Sequence, residues 1–174
     1  MMRRVGSDNI WLNLLGFQLA WWCAILMTHH SLPILFSLLI LHLLFHRQPV
    51  IETSVLLLCG LTGFAVDVML TVIGFFQFEA SDFPPFWLLL LWFCFSATLR
   101  QSLSFFHSRL LLAAVCGGFF GSLTYLTAAH LGVVTLGFPW LSSGLVLMLI
   151  WMLLFPLLIR FSEMSFMRRA NHDG

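Results

Sequence analysis

The chain has 174 residues, 60% hydrophobic and 9% charged, with nineteen Phe and seven Trp; a soluble domain runs at roughly 45–50% apolar and 25% charged. This is the composition of a multi-pass membrane protein, and at roughly 20 residues per span it holds at most six or seven spans, with no room for a soluble nucleotide-hydrolysing or ligand-binding domain. A net charge of +1, with all eight basic residues arginine and none clustered into a patch, gives no nucleic-acid partner.

The apolar run after Met1-Met2-Arg3-Arg4 imitates a signal sequence. It ends in Trp21-Trp22-Cys23 with no small-x-small cleavage site, so it is expected to remain as a first span, residues 10–27. Thr28-His29-His30-Ser31 turns the chain. Pro33, tolerated in a first helical turn, opens a second span over 31–46, which His46-Arg47-Gln48-Pro49 breaks. A third span covers 53–76. Pro84-Pro85 introduce the fourth, whose purely apolar part, Phe86 to Phe95, is too short to cross roughly 30 Å at about 1.5 Å per residue. The fourth helix is therefore expected to run over 85–106 and to carry Ser96, Thr98, Arg100, Gln101, Ser102 and Ser104 to the inner interface. A fifth span over 110–130, an apolar loop over 131–138 and a sixth span over 139–161, kinked by Pro156, complete the chain.

The expected architecture is an all-α, single transmembrane domain over residues 1–174, a bundle of six helices with both termini cytoplasmic. With the N-terminus inside, all eight arginines (residues 3, 4, 47, 100, 109, 160, 168 and 169) fall on the cytoplasmic side of a bacterial inner membrane. The outer loops carry none, while one holds Glu79 and Asp82, as the positive-inside rule requires.

Asp67 is the group to explain. It lies near the middle of the third span, where an acid costs on the order of 2.5–3.5 kcal/mol on insertion scales and normally faces protein. Gly60, Gly63, Asp67, Thr71 and Gly74 recur every three or four residues and share one stripe. On the fifth helix Ala114, Gly117, Gly118, Gly121, Tyr125 and Ala128 form a second stripe of small residues, suited to close helix approach. The two stripes are expected to pack together. Tyr125, the only tyrosine, lies at nearly the depth of Asp67 and within its hydrogen-bonding reach. Asp67, Tyr125, Gln18 and Arg100 are the candidate ligand- or proton-binding groups. Gln18 and Asn13 can meet Arg100, which can equally extend to the interface; Asp67 is too deep for a direct ion pair with it.

No metal site or cofactor is expected. His42 and His46 share a helix face, but His29, His30 and His130 lie a membrane away from His42, His46, His107 and His172. Cys23, Cys59, Cys94 and Cys116 each sit inside an apolar run and read as packing residues. Trp11, Trp87 and Trp140 fall near interfaces; Trp21, Trp22, Trp92 and Trp151 are deeper, packing the bundle or facing acyl chains.

Phe17-Gln18-x-x-Trp21, Asp67 in its glycine-rich helix, Pro84-Pro85-Phe86-Trp87 and Leu91-Trp92-Phe93-x-Phe95-x-x-Thr98-Leu99-x-x-Ser102, in that order, resemble a family of small proteobacterial inner-membrane proteins, domain of unknown function 2878. The resemblance implies a fold but no activity. Through neighbouring genes for fatty-acid-modifying enzymes, it also implies a role in membrane-lipid modification. Three functions follow as expectations. The first is a small carrier or lipid- or solute-binding protein with a polar slot around Asp67, its partners being membrane lipids. The second is a non-catalytic accessory or scaffold subunit for a lipid-modifying enzyme, engaged through His107-Ser108-Arg109 or the tail after Ser162. The third is an integral enzyme, ranked last because no nucleophile and base share one depth.

Overall fold

The computed structural model describes residues 9–79 and 82–170, with side chains as far as residue 164. Arg3 and Arg4, and the side chains of Arg168 and Arg169, lie outside that description. Four helical stretches are long and apolar enough to cross a membrane, Ile10–Phe45, Pro49–Val72, Leu110–His130 and Trp140–Met164. Among the described residues the chain is all-α apart from a two-residue ladder and a single bridge residue at Phe78, with the character of a multi-pass membrane protein.

Helix α1 (Ile10–Met27) starts at Asn9, whose side-chain oxygen accepts from the backbone N–H groups of Trp11 and Leu12 and satisfies two otherwise orphaned donors. Thr28, with φ 46°, and the single 3-10 turn Thr28–Ser31 then lead into α2 (Leu32–Phe45). Ile10 and His46 line one cavity. The 36-residue stretch is therefore folded back on itself as a hairpin. A straight helix of that length would separate its ends by roughly 54 Å.

Helix α3 runs over Pro49–Val72, not 53–76. Proline at the first helical position is pre-organised and loses no bond there. The far end is set by Gly74, at φ +78°. Its N–H donates to Thr71 and that of Phe75 to Leu70, the paired bonds of a glycine-terminated helix. The same device closes the helix ending at His130, with Gly132 at φ +76° and bonds to Ala129 and Ala128. These two stops aim Phe76–Gln77 (β1) and Thr135–Leu136 (β2) at each other as an antiparallel pair, where the sequence places the last residue of the third span and plain loop.

The largest departure is α4, which is Phe86–Ser96 and not 85–106. Bilayer thickness demands a longer helix only of one that must cross by itself. Here α4 sits inside the bundle, with Trp87, Leu88, Leu90, Leu91, Trp92, Cys94 and Ser96 all buried and α1, α2 and α3 packed around it. Beyond Ser96 the chain continues in short turns to a 3-10 turn at Ser104–Phe106. Side chains satisfy the backbone groups this exposes. Asn13 donates to the Ala97 carbonyl at 3.1 Å and accepts from Ser102 N–H and Oγ. The His107 ring donates to the Leu99 carbonyl at 3.0 Å. Irregular backbone at such depth is tolerable only when enclosed and paired in this way.

Helix α5 spans Leu110–His130 with one π turn at Gly117–Gly121; α6 is Trp140–Ala170, with Pro156 inside it. The glycine stripes of α3 and α5 do not touch as expected. A Cβ at Gly63 would land on the Trp92 ring of α4, and one at Gly121 on the Trp151 ring of α6. The two indoles stack, centroids 5.5 Å apart and planes 11° apart. Four helices thus contribute a glycine–indole–indole–glycine sandwich. Gly60 and Gly117 serve likewise, against Phe93 and Phe155. Gly74 is not a packing glycine: nothing lies within 4 Å of its Cβ position, and it is present for its positive φ.

Gly63→Ala should therefore destabilise the protein by about 1–3 kcal/mol, the usual cost of overpacking. Gly16→Ala, where nothing lies within 4 Å, should be neutral. Thermal unfolding of the two variants in detergent tests the contrast.

Candidate functional site

Asp67 is 1% exposed, and both of its carboxylate oxygens are occupied. Trp92 Nε1–H donates to Oδ2 at 2.6 Å. The Tyr125 hydroxyl lies 2.7 Å from Oδ1 and 2.8 Å from Oδ2. The contact expected from matched depth is present, but it includes Trp92, which the sequence had placed as packing the bundle or facing acyl chains. Each donor is braced by a further ring. Tyr125 stacks on Phe76 of β1 at 5.0 Å and 7°, while Trp92 stacks on Trp151. Asp67 thus ties α3, α4 and α5 together at one point.

Trp92 and Tyr125 also form part of a cavity of about 750 Å³, within the usual range for small-molecule sites. α1 and α5 flank it, and α4 and α6 line its depth. Trp21, Trp22, Trp87 and Trp151 bring the number of indoles on its wall to five, and the lining is overwhelmingly apolar. Gln18, Thr124 and Thr127 are the other polar residues besides Tyr125. The hydroxyls of Thr124 and Thr127 bond back to their own helix. Gln18 is exposed at the cavity wall. Asp67 is not on that wall; it stands behind it, and its chemistry reaches the cavity through Trp92 and Tyr125.

Arg100 is elsewhere. It donates from Nη1 to Glu52 Oε2 at 3.2 Å and from Nη2 to Gln48 Oε1 at 3.4 Å, rather than to Gln18. Glu52, on the first turn of α3, is fully buried. His42 Nε2 lies 2.9 Å from its Oε1, and His46 Nε2 lies 3.4 Å from its Oε2. The sequence reading missed Glu52 because it started the third helix one residue later. The available signal was the His42/His46 pair followed by an acid just after the helix-opening proline.

The ligand atoms of His42, His46 and Glu52 fall within 4.8 Å of one another, which raises the question of a metal. The hydrogen bonds favour a different reading. Gln48 N–H donates to His46 Nδ1 at 3.1 Å, so the neutral ring carries its proton on Nε2, where a metal would need a lone pair. That proton faces Glu52, as does the Arg100 guanidinium. The arrangement is a buried carboxylate ringed by donors. Burial holds the His46 imidazole below its ordinary range, and the attraction of Glu52 only partly offsets this.

The described arginines gather at one end of the bundle. Arg47 and Arg100 line one cavity, while His107, two residues before Arg109, lies 3.4 Å from Ser162 and 3.9 Å from Glu163, beside Arg160. His29, His30 and His130 close helices at the other end, where the β1–β2 ladder also lies. All four cysteines are free.

The chain belongs to the family described as protein of unknown function DUF2878, whose family profile matches residues 10–157. No curated protein and no solved structure matches it.

Replacing Glu52 by Ala should cost about 3–5 kcal/mol, since it removes the fully buried carboxylate on which a half-buried guanidinium and two imidazoles converge; Tyr125→Phe, which removes one neutral donor, should cost about 1 kcal/mol. Denaturation of both variants in the same detergent checks the order. The pH response follows from His46. Its folded-state value lies below the ordinary 6.5, so the imidazole is neutral in both states above that pH. Below it the unfolded chain takes up a proton that the folded chain resists. Stability should fall as pH drops through 6.5 and level off once His46 protonates in the fold. His46→Gln should flatten that part of an unfolding-versus-pH curve.

Proposed function

We propose that this DUF2878 protein binds a membrane lipid or another amphiphile from the bilayer in the aromatic cavity, as a small binding or carrier protein. The observation that carries this reading is the cavity itself. About 750 Å³ walled by five indoles suits an apolar chain. It offers too few polar groups for a charged solute. The exposed rim residues Trp22, Phe120 and Leu123 fit entry from the lipid side. Gln18 and Tyr125 are the groups that would meet the polar part of such a ligand. Asp67 is a positioning residue that fixes the ring planes of Trp92 and Tyr125. Six crossings of an inner membrane, with the arginine-rich end in the cytoplasm, accord with this reading.

Thr124→Trp, on the cavity wall, should fill the space without touching Asp67. Native mass spectrometry of protein released from mild detergent should show a discrete lipid-mass adduct on the wild type, reduced at least about tenfold in Thr124→Trp. Bare protein, or the same adducts on both, would overturn the reading and leave a non-catalytic accessory subunit for membrane-lipid modification as its replacement. Asp67→Asn keeps one acceptor and loses the other. It should weaken the adduct while lowering stability by about 1–3 kcal/mol.

A further inference from the structure

The polar atoms on the wall of the aromatic cavity divide into those already bonded and those left open, and the division is uneven. Its hydroxyl protons are all used: Thr124 and Thr127 donate to their own helix, and Tyr125 donates to Asp67. The Trp92 indole proton goes to Asp67 as well. Trp151 is different. Its residue is only 7% exposed, it lines the cavity, and its N–H makes no hydrogen bond among the described residues. The Gln18 carboxamide, on the same wall, has no partner among them either. A buried donor left unmet is rarer and costlier than a spare lone pair on a hydroxyl that already donates. The cavity is therefore short of an acceptor.

Charge is missing too. Among the described residues no arginine, lysine, histidine, aspartate or glutamate lines the cavity. Asp67 stands behind the wall with both oxygens filled, so it repels an anion and is closed to a cation. A cation would otherwise sit over ring faces. Trp92 and Trp151, however, cover each other's inner face, and their outer faces lie against Gly63 and Gly121. That pair can turn only its edges to a ligand. The edge is the positive rim of the aromatic quadrupole, and it too favours an acceptor oxygen.

We propose that the cavity selects an uncharged lipid whose polar part is a carbonyl, its oxygen accepting from the Trp151 indole and the Gln18 carboxamide. This narrows the lipid-binding reading given above and rests on it. The Tyr125 oxygen, its proton given to Asp67, remains to accept from a hydroxyl beside that carbonyl. Two lipid classes carry this chemistry, acyl esters of glycerol that lack a phosphate and long-tailed quinones. A phospholipid has the esters but brings a charge that nothing on the wall meets. A dialkyl ether brings only weak acceptors.

The test titrates the full chain in mild detergent with five probes and reads each bound fraction by native mass spectrometry. The probes are dioleoylglycerol, its dialkyl-ether counterpart, a decyl-tailed benzoquinone, dioleoyl phosphatidic acid and dodecyltrimethylammonium. Wild type is compared with Gln18→Leu, Trp151→Phe and the cavity-filling Thr124→Trp. The glyceride or the quinone should bind at least about tenfold more tightly than the ether, the phosphatidic acid and the ammonium, and whichever does so identifies the source of the carbonyl. Gln18→Leu and Trp151→Phe should each raise its half-saturating concentration about fivefold, the worth of one hydrogen bond, and leave the ether unchanged. Gln18 is at an exposed position, so its variant keeps the test decisive if Trp151→Phe fails to fold. Equal binding of all five probes, lost in Thr124→Trp, overturns this proposal and leaves lipid binding standing. So does tightest binding by the phosphatidic acid or the ammonium, or a carbonyl preference that neither variant reduces. If Thr124→Trp removes no binding at all, both readings fall.

Discussion

Two hydrogen bonds to one carboxylate organise this molecule. Asp67 has no cation beside it among the described residues, yet it receives an indole N–H and a phenol O–H within 2.8 Å. In hydrocarbon such a group is tolerable only if its acceptors are filled. The donors that fill them belong to α4 and α5. The cost of placing an acid there is thereby turned into geometric specification: three helices must meet at one depth, with two ring planes fixed.

The stacked indoles extend that specification outward. Trp92 can lie against Trp151 because Gly63 and Gly121 remove the side chains that would otherwise occupy the space. Between apolar helices in lipid, where hydrophobic driving force is absent, such dispersion-dominated contact and buried hydrogen bonds are the available adhesives. Trp92 and Trp151, which pack the bundle, also line the cavity.

Much of this could be read from the residues, and the failures have physical causes. The all-α membrane character, the family, the hairpin turn at residues 28–31 and the Asp67–Tyr125 contact follow from composition, motif order and helical rise. The glycine stripes correctly marked close approach, but a glycine does not reveal what approaches it, and helix backbone was assumed where aromatic rings are found. The overlong fourth helix came from applying bilayer thickness to a helix that neighbours enclose. Its polar tail, Ser96 to Ser104, was a sign of unwinding. Asn13 was noticed as polar and deep, but its task of satisfying that unwound backbone depends on tertiary contact. Glu52 escaped because the helix boundary was placed just beyond it, which also left Arg100 without its partner.

The π turn at Gly117–Gly121 makes the bundle sensitive to residue number and not only to residue type. Each residue in an α-helix turns the chain by about 100°, and a π turn accommodates one more residue than the α turn it replaces. Tyr125 lies one turn beyond it. Converting Gly-Gly-Phe-Phe-Gly to regular α-helix with every residue kept would rotate the phenol by about 100° away from Asp67, whereas removing one residue while straightening the helix would return it close to its place. A point substitution at Tyr125 weakens or removes that hydrogen bond; a change of helix type in the segment before it would point the phenol at a different neighbour. The segment therefore acts as a phase setting between the two halves of α5, its residue number and its helix type having to match.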